Sequence, residues 1–170
     1  MTNITRGLLL FTLFALSACG YHLRGSQASD VTFAFKSLHL RASGETPFVS
    51  SLREGLITNK IALTPTPSDA ELVLEVLSEQ SNKTILSLSS AGRVKEYQLN
   101  YRVALRAYDN QQRDWLPADE VVMSRILAYD DAQILAKEQE EAMLYKDMRA
   151  DAVAQTLRRL SRAKPQIVMP

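Results

Sequence analysis

The stretch "EYQLNYRVALRAY", Glu96–Tyr108, decides how this chain is read. Tyr97, Leu99, Tyr101, Val103, Leu105 and Ala107 alternate with Glu96, Gln98, Asn100, Arg102 and Arg106. A two-residue period is the mark of a strand with one face in a core and the other in water. Just before it, "AGR", Ala91–Arg93, reads as a hairpin turn. On the far side of that turn "ELVLEVLSEQ", Glu71–Gln80, reads as a strand that continues through "KTILSLSS", Lys83–Ser90. Downstream, "DNQQRDWLPAD" turns the chain and "EVVMSRILAY", Glu120–Tyr129, returns as another strand.

Helices flank this run of strands. "VTFAFKSLHL", Val31–Leu40, is β-branched and aromatic enough for a first strand. A loop, Ala42–Thr46, leads to a helix in which Thr46 caps and Pro47 takes the first turn, where its missing N–H costs nothing. Phe48, Val49, Leu52, Leu56 and Ile57 form its apolar face, and Gly55 weakens it modestly. "IALTPTPSDA" holds a brief strand and a proline-punctuated turn, Thr64–Asp69. From Asp130 or Asp131, either of which can cap, the period changes to 3.6 and a helix runs to about Ala163. Its stripe is Ile134, Glu138, Ala142, Tyr145, Met148, Ala152, Thr156 and Leu160, widened by Leu135, Val153 and Leu157. Arg158, Arg159, Arg162 and Lys164 near its end match the helix dipole, and Pro165 stops it. This order predicts one α+β domain over 31–164, with two helices on one face of a small, about four-stranded mixed sheet. A short tail, 165–170, follows.

The chain begins differently. Met1–Arg6 is polar with one positive charge, and "GLLLFTLFA", Gly7–Ala15, is apolar. That run is far shorter than the roughly 20 residues a membrane-spanning helix needs. With small Ser17 and Ala18 behind it, residues 1–18 read as a signal peptide. Cleavage before Cys19 removes 18 of the 170 residues and leaves about one domain. It also removes Arg6, one of 20 basic residues, so the rest balances the 19 acidic ones. A neutral chain is a poor general binder of nucleic acid, which asks for a basic excess. Residues 19–30 read as a modified N-terminus and a polar linker, "GSQASD". Export implies an oxidising compartment, yet the one cysteine has no disulfide partner within the chain. Leu16-Ser17-Ala18-Cys19 resembles the lipobox of bacterial lipoproteins. The resemblance implies a diacylglycerol on the Cys19 sulfur and an acyl group on its amino group. Several buried acyl chains hold a protein firmly where one does so only marginally. Gly20, where an inner-membrane retention signal would show Asp, points to the outer membrane, anchored on its periplasmic face.

Little in the chain suggests catalysis. Acylated, Cys19 offers no thiol, and His22 and His39 stand alone, so we expect no catalytic centre, no metal site and no cofactor beyond the covalent lipid. Glu138, Glu140 and Glu141 read as a solvated helix face. Tyr97, Tyr101 and Trp115 read as core or strand-edge residues. The basic residues Arg93 and Lys95 at the hairpin tip, and Lys137 early in the long helix, are the candidates for meeting an anion.

"CGYHLRG", Cys19–Gly25, resembles the start of mature LptE (RlpB) lipoproteins, the lipopolysaccharide-assembly family. "EYQL", Glu96–Leu99, "SRILAYDDAQILAKEQEEAML", Ser124–Leu144, and "MRADAVAQTLRRL", Met148–Leu160, resemble later passages of that family in the same order. The resemblance implies two helices on a four-stranded sheet, and a plug inside the outer-membrane β-barrel LptD that delivers lipopolysaccharide to the outer leaflet. It also implies lipopolysaccharide binding by basic residues near the hairpin and near the "LAK" segment. Lys137 matches the lysine of that segment. Where relatives can carry an arginine ahead of the turn glycine, this chain has Ser90 and Ala91, and Arg93 could substitute from the other side of Gly92. The alternative reading is a stand-alone periplasmic-facing lipoprotein that binds a ligand or scaffolds another envelope complex.

Overall fold

A computed structural model describes residues 32–166. The expected signal peptide and linker, with Cys19 and His22, lie outside the described residues. β1 (Ser37–Ala42) leads into α1 (Pro47–Thr58), then the two-residue β2 (Ala62–Leu63), β3 (Leu72–Leu88), β4 (Val94–Asp109), β5 (Asp114–Ala128) and α2 (Ile134–Arg162). The sheet order is β2-β1-β3-β4-β5, with β1 parallel to both neighbours and the remaining pairs antiparallel. It is the expected mixed α+β sheet with one strand more, because the brief strand after α1 joins its edge beside β1.

Three boundaries moved. Regular strand begins at Ser37 rather than Val31, and the residues before it pack as side chains, Phe33 edge-on to Phe35 at 5.4 Å. β5 starts at Asp114, so half of the segment read as a turn is strand, entered through a tight connection at residues 110–113. The helix expected from Asp131 opens with a 3-10 turn, Asp131–Gln133, where the Asp130 carboxylate accepts from the Ala132 N–H at 3.0 Å. α1 begins as expected: the Thr46 hydroxyl accepts from the Val49 N–H at 3.2 Å with Pro47 in the first turn.

One core holds these elements together. Leu99, Tyr101, Val103, Leu105 and Ala107 of β4 are buried and face Leu72, Leu74 and Val76 of β3, and Val121 and Leu127 of β5. From the helices come Phe48, Val49, Leu52 and Leu56, and Met148, Ala152, Val153 and Leu160. Ile57, expected on the α1 face, is instead 58% exposed. Gly55 has a packing reason that propensity alone does not show. A Cβ there would lie 2.9 Å from Leu157 Cδ1, so its bare backbone lets α1 and α2 approach closely.

The β4–β5 connection is fastened by Asp109, 6% exposed. Its carboxylate accepts from the N–H groups of Gln111 (2.8 Å) and Arg113 (3.0 Å), from Arg113 Nε (2.8 Å) and from Trp115 Nε1 (3.2 Å). Burial works against its charge, but the Arg113, Trp115 and Gln111 donors outweigh that and hold its pKa below the usual aspartate value. We expect Asp109→Ala to cost about 2 kcal/mol at neutral pH, since several inward donors lose their acceptor. A depressed folded-state pKa adds stability above the unfolded pKa of about 3.9, and that stability fades as pH falls through the lower folded value. Urea denaturation at pH 7 and pH 3 therefore narrows the gap between wild type and variant. An equal gap at both pH values would deny Asp109 this role.

Candidate functional site at the hairpin tip

β3 and β4 form a hairpin whose far half runs beyond β1, with β5 following β4 as far as Glu96↔Ala128. β1 pairs with β3 only from Leu38↔Leu72 to Ala42↔Val76, while β3–β4 pairing runs on to Leu88↔Val94. The turn is closed by Ser89, whose N–H donates to the Arg93 carbonyl at 2.7 Å and whose carbonyl accepts from the Gly92 N–H at 2.9 Å. Gly92 sits at φ +75°, a conformation that costs a residue without Cβ little.

The tip meets the start of α2. The Tyr129 N–H donates to the Lys95 carbonyl at 2.8 Å, and α2 begins five residues later. Tyr129 packs edge-on against Tyr97 at 5.1 Å, and Lys83 Nζ lies 4.7 Å above the Tyr97 ring. Lys83 also pairs with Glu141 at 2.7 Å, a bond that raises its pKa further. Sequence reading placed Arg93 and Lys95 together at the hairpin tip and Lys137 more than forty positions on; the fold brings all three to one end. They differ in availability. Arg93 and Lys95 are exposed and make no ion pair among the described residues. Lys137 is mostly covered and pairs with Glu140 at 2.8 Å.

Apolar side chains surround these cations. Ile85, Leu86 and Leu88 near the tip, Ile126 on β5, and Ile134 and Leu135 at the head of α2 are all exposed. The expected helix stripe therefore fails at its beginning: burial starts in earnest at Met148. The first turns of α2 run beside the polar half of β3 instead of the core. Exposed aliphatic groups interleaved with lysines and arginines suit a ligand that is both anionic and fatty.

A second polar feature was not legible in the sequence. A cleft of about 330 Å³ is lined by Thr46, Glu79, Ser81, Tyr101, Tyr145 and Arg149. Glu79 accepts from the Tyr101 hydroxyl at 2.6 Å and from the Thr46 hydroxyl. Burial first, then the Glu79 carboxylate, push the Tyr101 phenol far above its usual pKa. The ladder shift between Val76 and Ser78 carries the cause: it turns the strand's phase, so Glu79 rather than Ser78 faces the helices. Elsewhere the bland readings stand. Tyr101 is core, Tyr97 and Trp115 are half-buried, Glu140 and Glu141 make ion pairs, and His39 bonds the Thr64 carbonyl at 3.0 Å.

A family model described as "LptE: Lipopolysaccharide-assembly" matches residues 33–160. Among solved structures, the chain is similar to uncharacterized lipoprotein B from Nitrosomonas europaea, solved by NMR in solution. Identity is 36%, covering 84% of this chain and 90% of that one, with a TM-score of 0.71. It is also similar to the rare lipoprotein B from Shewanella oneidensis, with 27% identity over 71% of this chain and 92% of that one, at a TM-score of 0.63. A minor lipoprotein from Acinetobacter baumannii shares the fold, at 24% identity over 79% and 98% of the two chains and a TM-score of 0.65. None of the curated proteins matches the chain.

Proposed function

This chain belongs to the LptE lipopolysaccharide-assembly family, and from that premise we propose that it is an outer-membrane lipoprotein, anchored through Cys19, that plugs the LptD barrel and contacts lipopolysaccharide at its hairpin tip. Its role is assembly and delivery, with no chemical step. The observation that carries the plug reading is the second face of the sheet. Both helices pack on one side, and among the described residues no helix covers the other.

That open face is mainly polar, with Val122 and Ile126 exposed among its polar side chains. Along β3, β4 and β5 it presents Gln80, Asn82, Thr84, Gln98, Asn100, Arg102 and Ser124. Gln98 Nε2 donates to Ser124 Oγ at 3.1 Å, and Arg106 pairs with Glu75 at 2.8 Å and lies over the Tyr108 ring. Amides, hydroxyls and paired charges suit the polar lumen of a large outer-membrane barrel, where water and polar side chains line the wall. The amphipathic tip supports lipopolysaccharide contact, since that ligand joins anionic groups to acyl chains.

The test is affinity isolation of the full chain from detergent-extracted outer membranes. A stable one-to-one complex with the barrel is the expected result, and depletion of the chain leaves barrel and surface lipopolysaccharide deficient. A chain that elutes alone, with the barrel folding normally without it, overturns the plug and favours a stand-alone envelope lipoprotein.

A further inference from the structure

α2 ends in a cluster that the hairpin-tip contact does not use. Gln155, Arg158, Arg159 and Arg162 line one pocket of about 330 Å³. Their spacing of three, four and seven residues puts them on one helical face, where like charges repel. The helix dipole offsets part of that repulsion. Arg159 is engaged: it lies 2.8 Å from Asp119 and donates to the Glu120 carbonyl at 3.2 Å. Arg158 and Arg162 make no ion pair or side-chain hydrogen bond among the described residues. Lys164, also exposed, extends the positive charge past the helix end.

Position points to the partner. The chain leaving α2 rests on the start of β5, where the Gln166 N–H donates to the Asp114 carbonyl at 2.8 Å. Trp115, the next residue of β5, packs edge-on against Phe35 at 6.0 Å, and Phe35 against Phe33 at 5.4 Å. Phe33 stands at the head of the described chain, fourteen positions after Cys19. The first described residues thus lie at the end of the fold where the arginines sit. The hairpin tip lies at the other end of the 16-residue β4, about 50 Å away.

We propose that Arg158, Arg162 and Lys164 dock on the phosphates of anionic phospholipids in the leaflet that holds the Cys19 acyl chains, fixing which end of the domain faces that membrane. This rests on the lipid-anchor reading of Cys19. Lipid anchors commonly work with a second, basic signal. Guanidinium groups meet phosphate oxygens through paired hydrogen bonds. Asp119, on β5, is already paired with Arg159, so it does not cancel the two free arginines.

Full-length protein purified from membranes is reconstituted into vesicles of phosphatidylcholine, with or without phosphatidylglycerol, and its arginines are modified with phenylglyoxal. Mass spectrometry of the digest then reads each site. We expect modification of Arg158 and Arg162 to slow about fivefold only with phosphatidylglycerol, the factor one basic side chain contributes beside an anionic surface. About 0.5 M salt should remove that protection. Arg102, on the open sheet face, serves as the internal control. Equal rates in the two vesicles overturn the proposal, and so does protection by added lipopolysaccharide alone, which would reassign the cluster. The N-terminal peptide in the same digest reports the mass on Cys19. An unmodified thiol sinks the anchor reading, while the arginine rates still score the cluster by charge alone.

Discussion

Phe48→Ala is expected to lower the stability of the domain by about 3–5 kcal/mol. Phe48 is fully buried at the start of α1, where it joins Leu52 and Leu56 against the sheet. Removing its ring takes away apolar burial and leaves a cavity that a sheet-backed core closes only in part. Against a total stability of about 5–15 kcal/mol, the loss is a large fraction. It should lower Tm by roughly 10–15 °C for a domain of this size. Ile57→Ala, one position beyond Leu56, is the matched control. Its side chain is 58% exposed, so its truncation should cost less than about 1 kcal/mol. Equal costs for the two, measured by urea denaturation, would mean that α1 does not present the face described.

The second large effect concerns the hairpin tip. The triple variant Arg93→Glu, Lys95→Glu, Lys137→Glu is expected to weaken lipopolysaccharide binding on the order of 100-fold, if each free cation makes a charge-assisted hydrogen bond. Arg93 and Lys95 should carry most of it. Lys137 already pairs with Glu140 at 2.8 Å, so Lys137→Asp alone should cost only a few-fold. The fold should survive, because Arg93 and Lys95 project from a turn closed by backbone and Ser89 rather than by their own side chains. Binding to immobilised lipopolysaccharide measures the effect, with thermal denaturation run alongside. Unchanged affinity in a variant that melts normally would remove the tip from the contact surface.

Much of the fold could be read from local pattern, and particular residues show why. The alternation from Tyr97 to Ala107 appears in the structure as an inward row, because a strand's two faces are set by the pleat and need no distant partner. Thr46 and Pro47 mark the start of α1 for a similar reason: capping is decided within one turn. Ile134 and Leu135 went astray because a stripe of 3.6 period says which residues share a face, not what lies opposite them. What lies opposite is the polar half of β3.

The same division holds for function. Composition and order along the chain were enough for the element sequence, the single core and the resemblance that the family match upholds. Only the folded chain could bring Arg93 and Lys95 beside the head of α2. Only the shift after Val76 could turn Glu79 inward, and only the docking of Phe35 and Gln166 at the start of β5 could set Arg158 and Arg162 at the end of the sheet where Phe33 lies. Periodicity is written by neighbours a few residues apart and survives in the sequence. Register and end-to-end placement depend on contacts between residues tens of positions apart, which no local pattern encodes.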